Sequence, residues 1–358
     1  MSTQTLSPRG DAATASVPDV AALVRGRRGR ARRRTLVAAI LFSAVVAVYV
    51  VTLMVGNTFY TPDQVIRVIL GQTVPGASFT IGELRLPRAS LGLLSGLAFG
   101  MAGVTFQTML RNPLASPDII GISSGASAFA VVAIIGFSLS DAAVSAFALV
   151  GALATAGAIY LLSRRGAFTG TRLVLIGIGV AAMLDSVTTW MLTRAANWDL
   201  QTAMQWLTGS LNNASWERLL PLAATVVVVL PLMVANTRGL AVLRLGDDSA
   251  AGLGVRVERT RVLLIVGAVV MLAVATAASG PIAFVAFMAG PIAARLIGPG
   301  GSLLVPAGLV GALLVMLSDL LGQFAFDNRY PVGVITGVLG APYLIYLLIR
   351  TNRSGGSL

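Results

Sequence analysis

A basic cluster leads directly into a long uncharged run at 32-RRRTLVAAILFSAVVAVYVVTLMV-55. Its apolar part, residues 36–55, has the length of about 20 residues that an α-helix needs to cross the hydrocarbon core of a bilayer. A secretory signal peptide has a shorter apolar core and a small-residue cleavage site, whereas this run continues into Gly56-Asn57-Thr58. We therefore predict a retained first membrane helix with its amino terminus in the cytoplasm.

The same apolar pattern recurs along the whole chain. Of 358 residues, 56% are hydrophobic and 11% are charged, and the mean hydropathy is +0.85. Soluble domains average about 45–50% apolar and about 25% charged residues, so the sequence predicts a membrane protein. The runs are continuous rather than alternating, which excludes an outer-membrane barrel. An all-α polytopic protein of about ten spans is predicted, with further spans at 89–110, 118–136, 142–163, 173–193, 217–235, 261–279, 282–297, 303–322 and 332–349.

The arginines predict the orientation of these spans. All 26 basic residues are Arg, and a cytoplasmic amino terminus places 20 of them in cytoplasmic segments and six outside. This bias satisfies the positive-inside rule and predicts that both termini are cytoplasmic. We predict a disordered Arg-rich tail at 1–35, a membrane domain at 36–350 and a short cytoplasmic tail at 351–358. Topology and lipid headgroups account for the net charge of +12 without nucleic acid.

Three residue types are missing from the sequence, which narrows its chemistry. The chain has no Cys, His or Lys. The usual thiolate, imidazole and metal-ligand chemistries are therefore unavailable, and we predict no catalytic residue, metal site or cofactor in this chain. A Walker A loop needs a Lys on the nucleotide phosphates, so any ATP and Mg must be bound by a partner ATPase.

A broken segment joins the second and third spans at 111-RNPLASPDIIGISSGA-126. Its two prolines, four residues apart, cannot continue a helix. Irregular backbone at membrane depth is tolerated only where it is buried in protein or lines a water-filled cavity. The alternative is an ordinary turn on the cytoplasmic side. We predict a translocation-path element whose residues are Gln107, Asn112, Pro113, Ser116, Pro117, Gly121, Ser123, Ser124 and Gly125.

The largest cytoplasmic loop, at about 236–260, contains 246-GDDSAAGLGV-255. A polar, glycine-punctuated loop of this length is typical of a docking element rather than of a linker. Asp247 and Asp248 are suited to cap a short helix and to favour its amino terminus.

Several motifs in one order carry a family resemblance. They are 85-RLPR-88, the break at 111–126, 206-WLTGSL-211, the 246–255 loop, 280-GPIAFV-285, 331-PVGVITG-337 and 339-LGAP-342. Over roughly residues 36–350 the chain resembles the permease subunits of bacterial ABC importers for ferric siderophores, haem and cobalamin. The 175-LIGIG-179 stretch and the Asp247–Asp248 loop resemble most the iron–enterobactin permeases.

The resemblance implies the type II ABC importer permease fold and its partners. These would be a second permease subunit, in a heterodimer rather than a homodimer, two ATPase subunits and an extracytoplasmic substrate-binding protein. The implied activity is import of a ferric siderophore, of the catecholate type, across the bacterial cytoplasmic membrane. The resemblance assigns Arg85 and Arg88 to docking of the binding protein. It assigns ATPase coupling to Gly246, Asp247, Asp248, Ala250, Leu253 and Gly254.

The sequence departs from the family in two places. Span eight reads 289-AGPIAAR-295, without the His and the second Arg usual in relatives, and Gln323 stands where some relatives carry a docking Arg. Arg329 lies near enough in sequence to compensate for that change.

Two other functions compete with the importer. Intramembrane acids are often functional, so Asp185 and Asp319 allow a proton-coupled secondary transporter, although that function would leave the 236–260 loop unexplained. A polytopic membrane enzyme is disfavoured by the missing His and Cys and by the lack of a carboxylate cluster or Ser/Lys dyad.

Overall fold

The computed structural model describes residues 20–118, 120–163, 170–298 and 301–353, and within these ranges all regular structure is helical. Two π-helical turns, Thr80–Arg85 and Val132–Gly136, extend the third and fourth helices. The α-helices are α1 Val20–Met54, α2 Pro62–Ile69, α3 Leu86–Met109, α4 Ile122–Val131, α5 Asp141–Ser163, α6 Gly170–Leu192, α7 Asn197–Leu207, α8 Trp216–Ala235, α9 Thr237–Leu243, α10 Asp247–Gly252, α11 Val257–Ser279, α12 Val285–Ile297, α13 Leu304–Phe324 and α14 Val332–Arg353.

Apolar helices occur at all ten predicted membrane segments, and eight of them are long enough to be spans. Eight helices are long and apolar enough to cross a bilayer: α1, α3, α5, α6, α8, α11, α13 and α14. The other two apolar helices are Ile122–Gly136 and Val285–Ile297. The 13 residues of α12 rise about 20 Å, less than the hydrocarbon thickness of about 30 Å. Non-helical backbone beside α4 and α12 therefore enters the depth of the membrane.

Contacts between loops agree with the predicted alternation of the spans. At one end, Arg33 donates to the Leu296 carbonyl at 3.3 Å, and Arg111 pairs with Asp247 at 3.2 Å. At the other end, Arg218 pairs with Asp141 at 2.7 Å. The loops predicted to be cytoplasmic thus meet at the first end, which we call the cytoplasmic end. The loops predicted to be outside meet at the opposite, outer end.

The predicted disorder of residues 1–35 is wrong for residues 20–35, which are the first part of α1. Arg is a good helix former, and extending an existing helix costs little compared with nucleating one. The basic run therefore continues the membrane helix towards the cytoplasm. Residues 1–19, and residues 354–358 of the predicted carboxyl-terminal tail, lie outside the described residues.

Helix α3 lies at the centre of the bundle and is packed through small residues. A methyl group on Gly96 would overlap the Gly311 carbonyl of α13, and one on Gly100 would overlap the Ala307 carbonyl. A methyl group on Gly103 would likewise overlap Ala286 of α12. The glycine stripe therefore brings three helix backbones into direct contact, as small residues do in membrane bundles.

Replacing Gly100 by Ala should lower the free energy of unfolding by about 1–3 kcal/mol, since the new methyl group must displace backbone rather than a flexible side chain. Gly157→Ala on α5 is the matched control, because no atom lies within 4 Å of its added Cβ. The control should raise stability by about 0.5–1 kcal/mol, because alanine is the better helix former and meets no neighbouring atom there. Thermal unfolding of both purified variants in detergent measures this difference, and equal stabilities would contradict the packing argument.

Candidate translocation path and coupling site

Two breaks between helices meet at a cavity of about 390 Å³. The first break, residues 110–121, joins α3 to α4, and the second, residues 280–284, joins α11 to α12. The cavity has a polar side formed by serines and two acids and an apolar side formed largely by the second break. Its lining residues are Ser116, Asp118, Ser123, Ser124, Ser127, Asp185, Leu207, Pro281, Ile282, Ala283, Phe284, Phe287 and Leu344.

The first break is recessed from the cytoplasmic end. Ile120 contacts Gly177, which lies seven residues after the start of α6, so the break reaches about 10 Å along that helix. The backbone turns there at Gly121, whose φ of +91° is a left-handed conformation that favours glycine. The break is therefore recessed, unlike an ordinary surface turn, and its path-lining role stays a prediction.

Side chains of the break satisfy its polar groups locally. Ser123 Oγ donates to Asp118 Oδ1 at 2.6 Å, and Ser116 Oγ donates to Asp118 Oδ2 at 3.2 Å. Asp118 is only partly exposed and faces the cavity. The sequence analysis did not select Asp118, although an acid flanked by serines inside an apolar segment was the signal that could have found it.

The predicted path residues divide into two groups. Ser116, Ser123 and Ser124 line the cavity. Gln107 is buried and donates from Nε2 to the Phe287 carbonyl at 2.9 Å, which ties α3 to α12. Gly125 packs against Thr155 of α5. Neither of these two lines the cavity, nor do the residues that shape the break, which are Asn112, Pro113, Pro117 and Gly121.

The second break brings together three motifs that are far apart in sequence. Phe284 and Gly280 turn it with φ values of +63° and +72°. Ser210 N donates to the Ser279 carbonyl at 2.8 Å, and Gly333 N donates to the Gly209 carbonyl at 3.1 Å. The 206–211, 280–285 and 331–337 segments therefore form one contact region beside the cavity.

The cytoplasmic loop contains two short helices, α9 and α10. Gly246 is the N-cap residue of α10, with φ +109° and no side-chain cap. The predicted capping by Asp247 and Asp248 is therefore wrong, because both acids lie in the first turn, where they still favour the helix amino terminus. Ala250 is buried, whereas Leu253 is 65% exposed. Gly254 follows with φ +80° and no atom near its Cβ position.

Ion pairs connect this loop to the path break. Asp247 accepts from Arg261 at 2.7 Å and from Arg111 at 3.2 Å. Arg111 is the first residue of the quoted break, so one carboxylate joins α10 to α11 and to the path element. Nearby, Arg244 donates to Thr108 Oγ1 at 3.3 Å. Partial desolvation lowers the pKa of the Arg244 guanidinium, which nevertheless stays charged at neutral pH.

At the outer end, Arg88 is engaged inside the chain. Its guanidinium binds Asp319 bidentately, at 2.9 Å to Oδ2 and 2.8 Å to Oδ1, and also donates to Asn212 Oδ1 at 3.0 Å. Gln323 Nε2 donates to the same carboxylate at 2.6 Å. Asp319 is thus neutralised by Arg88, which explains an acid in span nine without proton transport.

Arg85 is also held within the chain. It donates to the carbonyls of Leu53 and Met54 at 2.9 Å and of Thr58 at 2.6 Å. Its guanidinium lies 4.8 Å from the ring centre of Tyr60. These contacts give Arg85 and Arg88 structural roles, and their predicted role in docking stays a prediction.

Residues 21–350 match the FecCD transport family. The chain belongs to this family. It is 39% identical over 323 residues to the ferric enterobactin transport system permease protein FepG of Escherichia coli. The aligned region covers 90% of this chain and 98% of FepG. The chain is also 39% identical over 313 residues to the achromobactin transport system permease protein CbrC of Dickeya dadantii, covering 86% and 90% of the two chains.

A solved structure supports the same fold. An inward-facing metal-chelate type ABC transporter chain superposes with a TM-score of 0.78 at 25% identity, covering 88% of this chain and 99% of that one. The predicted fold class and family resemblance are confirmed. The FecCD chain is a multi-pass permease of the siderophore and iron ABC transporter family, and none of the comparisons supports a proton-coupled transporter.

The Arg88–Asp319 pair should dominate the stability of the outer end. Asp319→Ala leaves an unpaired, largely buried guanidinium and should cost about 3–5 kcal/mol of unfolding free energy. Arg88→Leu combined with Asp319→Leu removes both charges and should cost less than Asp319→Ala. Denaturant unfolding in detergent of Arg88→Leu, Asp319→Leu and the double leucine variant completes a double-mutant cycle that checks this coupling. Strictly additive costs would show that the pair is not coupled.

Proposed function

We propose that this chain is the permease subunit of an ATP-driven importer that moves a ferric siderophore, of the catecholate type, from a binding protein into the bacterial cytoplasm. The observation that carries the proposal is the recessed break at residues 110–121, which lines a central cavity and is ion-paired to α10. A simple membrane anchor would need neither feature. The identity to the ferric enterobactin permease supports the catecholate class.

Transport would require a partner permease. Asp185 lines the cavity and is exposed on α6, and Ile178, two turns earlier on the same face of that helix, is 47% exposed. An acid beside a large apolar side chain suits a protein neighbour better than lipid alone, because an acid facing lipid is costly. A second, different permease subunit would complete the path. The binding protein would dock on the outer rim that Arg85 and Arg88 hold in place.

Uptake by cells tests the proposal directly. Deleting this chain should abolish uptake of radiolabelled ferric enterobactin, and a plasmid copy should restore it. In spheroplasts supplied with the binding protein, where no outer membrane has to be crossed, dissipating the proton gradient while ATP is maintained should leave uptake in place. Normal uptake in the deletion strain would refute the proposal. So would loss of uptake when only the proton gradient is dissipated and ATP is still present.

Energy for transport would come from two separate ATPase subunits, which would hold ATP and Mg. The purified chain should neither bind nor hydrolyse ATP, because it has no Lys to place on the phosphates. Equilibrium binding of labelled ATP and phosphate release by the isolated subunit measure both properties. Hydrolysis that persists through every purification step would contradict the prediction.

The exposed face of α10 should transmit the ATPase cycle. Asp248→Arg combined with Leu253→Asp should leave the chain folded, since both side chains are exposed, but should abolish import. The reason is that an unpaired charge would have to be buried where Leu253 meets the ATPase. Co-purification of the ATPase and uptake of ferric siderophore are the two measurements.

Glu258→Arg is the control for this variant, because it reverses an exposed cytoplasmic acid in the first turn of α11, outside α10. The control should retain the ATPase and transport normally. Normal co-purification and uptake in the α10 variant would exclude this helix as the contact.

A further inference from the structure

Three arginines from three separate elements converge on a second pocket, of about 440 Å³, at the cytoplasmic end. Arg244 follows α9, Arg295 lies in the last turn of α12, and Arg350 lies near the end of α14. The described residues that line this basic pocket include no acid. Neither Arg244 nor Arg295 forms an ion pair with a carboxylate in the described part of the chain. Such a concentration of positive charge attracts an anion.

Two tyrosines pack against the arginines of the basic pocket, next to the residues that line it. The Arg295 guanidinium lies 4.7 Å from the ring centre of Tyr346 and 5.7 Å from that of Tyr343. Arg350 Nη1 donates to the Tyr346 hydroxyl at 3.1 Å. The planar guanidinium binds oxyanions through its donors and stacks on aromatic rings. The arginines in the pocket and the aromatic rings beside it together suit an anion bearing aromatic rings.

The basic pocket lies on the cytoplasmic side of the path cavity, along the same two helices. On α12, Phe287 lines the cavity and Ala294 lines the pocket, two turns and about 10 Å apart on one face. On α14, Leu344 and Arg350 repeat this order over about 9 Å. A solute that leaves the cavity towards the cytoplasm would reach the pocket next.

The two spaces are lined by ionisable groups of opposite kind. The cavity is lined by Asp118 and Asp185, whereas the pocket is lined by arginines. A ferric tris-catecholate is an anion, because its phenolate oxygens outweigh the charge of the ferric ion. Such a complex would be disfavoured beside the acids and favoured beside the arginines. The electrostatic difference would draw it inward.

We infer that Arg244, Arg295 and Arg350 form a binding site for an anionic, aryl-bearing ferric chelate at the cytoplasmic mouth of the path. This inference rests on the proposed function and specifies the charge and chemistry of its substrate. The site takes the chelate after the central cavity and before release. Arg295 and Arg350 bind the phenolate oxygens, and the adjoining tyrosines contact the catechol rings.

The test uses the full importer, reconstituted with its partner permease, ATPases and binding protein in phosphatidylcholine vesicles. Arg295→Gln combined with Arg350→Gln should weaken binding of ferric enterobactin to the importer about tenfold, since charge-assisted hydrogen bonds are lost. Uptake should fall by a similar factor, while ATP hydrolysis stimulated by the binding protein stays unchanged. Arg→Lys at both positions should restore part of the binding, because it keeps the charge.

The matched control is Arg28→Gln combined with Arg30→Gln, which removes the same charge from the exposed cytoplasmic part of α1, at residues that neither line the pocket nor belong to the 236–260 loop. The control should bind and transport like the wild type. Unchanged binding and uptake in the pocket variant would overturn the inference.

Two further outcomes would also overturn it, because they assign the pocket to another occupant. If the pocket variant loses both its bound ATPase subunits and its ATP hydrolysis, the arginines contact ATPase carboxylates. Competition by added phosphatidylglycerol, with loss of that lipid from the variant, would indicate a headgroup phosphate site. If the wild type transports no ferric enterobactin, the proposed function fails, whereas arginine-dependent binding of the chelate would still support the anion site.

Discussion

Non-helical backbone inside a membrane must have its polar groups satisfied by protein or by water, and this constraint governs the whole structure. The two short helices, α4 and α12, leave breaks at membrane depth on both sides of one cavity. The breaks persist because neighbouring helices enclose them closely. Ile120 packs against the backbone of α6 at Gly177, and Gln107 donates a hydrogen bond to the Phe287 carbonyl. The glycine stripe of α3 brings the enclosing helices near enough for these contacts.

Ion pairs join the helices to one another at both ends of the bundle. At the outer end, Arg88 and Asp319 join α3 to α13, and the loop after α7 adds Asn212. At the cytoplasmic end, Asp247 joins α10 to the path break through Arg111. A displacement of α10 would therefore pull on the break directly, without passing through the apolar core. Discrete ion pairs and a short rigid helix are the kind of connection that carries coupling between sites.

The opposite charges of the cavity and the basic pocket give the path a polarity that neither site has alone. In the cavity, acids surrounded by serine hydroxyls form a surface suited to water. In the basic pocket, arginines that adjoin tyrosines form a surface suited to aryl anions. Both surfaces lie along α12 and α14, so one pair of helices would present them to a substrate in sequence. Such an arrangement favours passage over retention, because the tightest anion contacts come last.

The sequence by itself determined the membrane class, the ten apolar helical segments and the family, and it singled out two loops as candidates for function. These inferences depend on local signals: apolar length, arginine bias, proline breaks and ordered motifs. The sequence could not assign partners to single charges. Arg88 and Asp319 are separated by 231 positions and Arg111 and Asp247 by 136, and no local pattern records which side chains meet across such distances. The sequence also misjudged residues 20–35 as disordered, since continuation of a helix depends on the span beside it. Only the tertiary structure decided that Arg85 and Arg88 are held internally, that Asp118 faces the cavity and that three distant arginines share one pocket, because helix packing sets which faces meet.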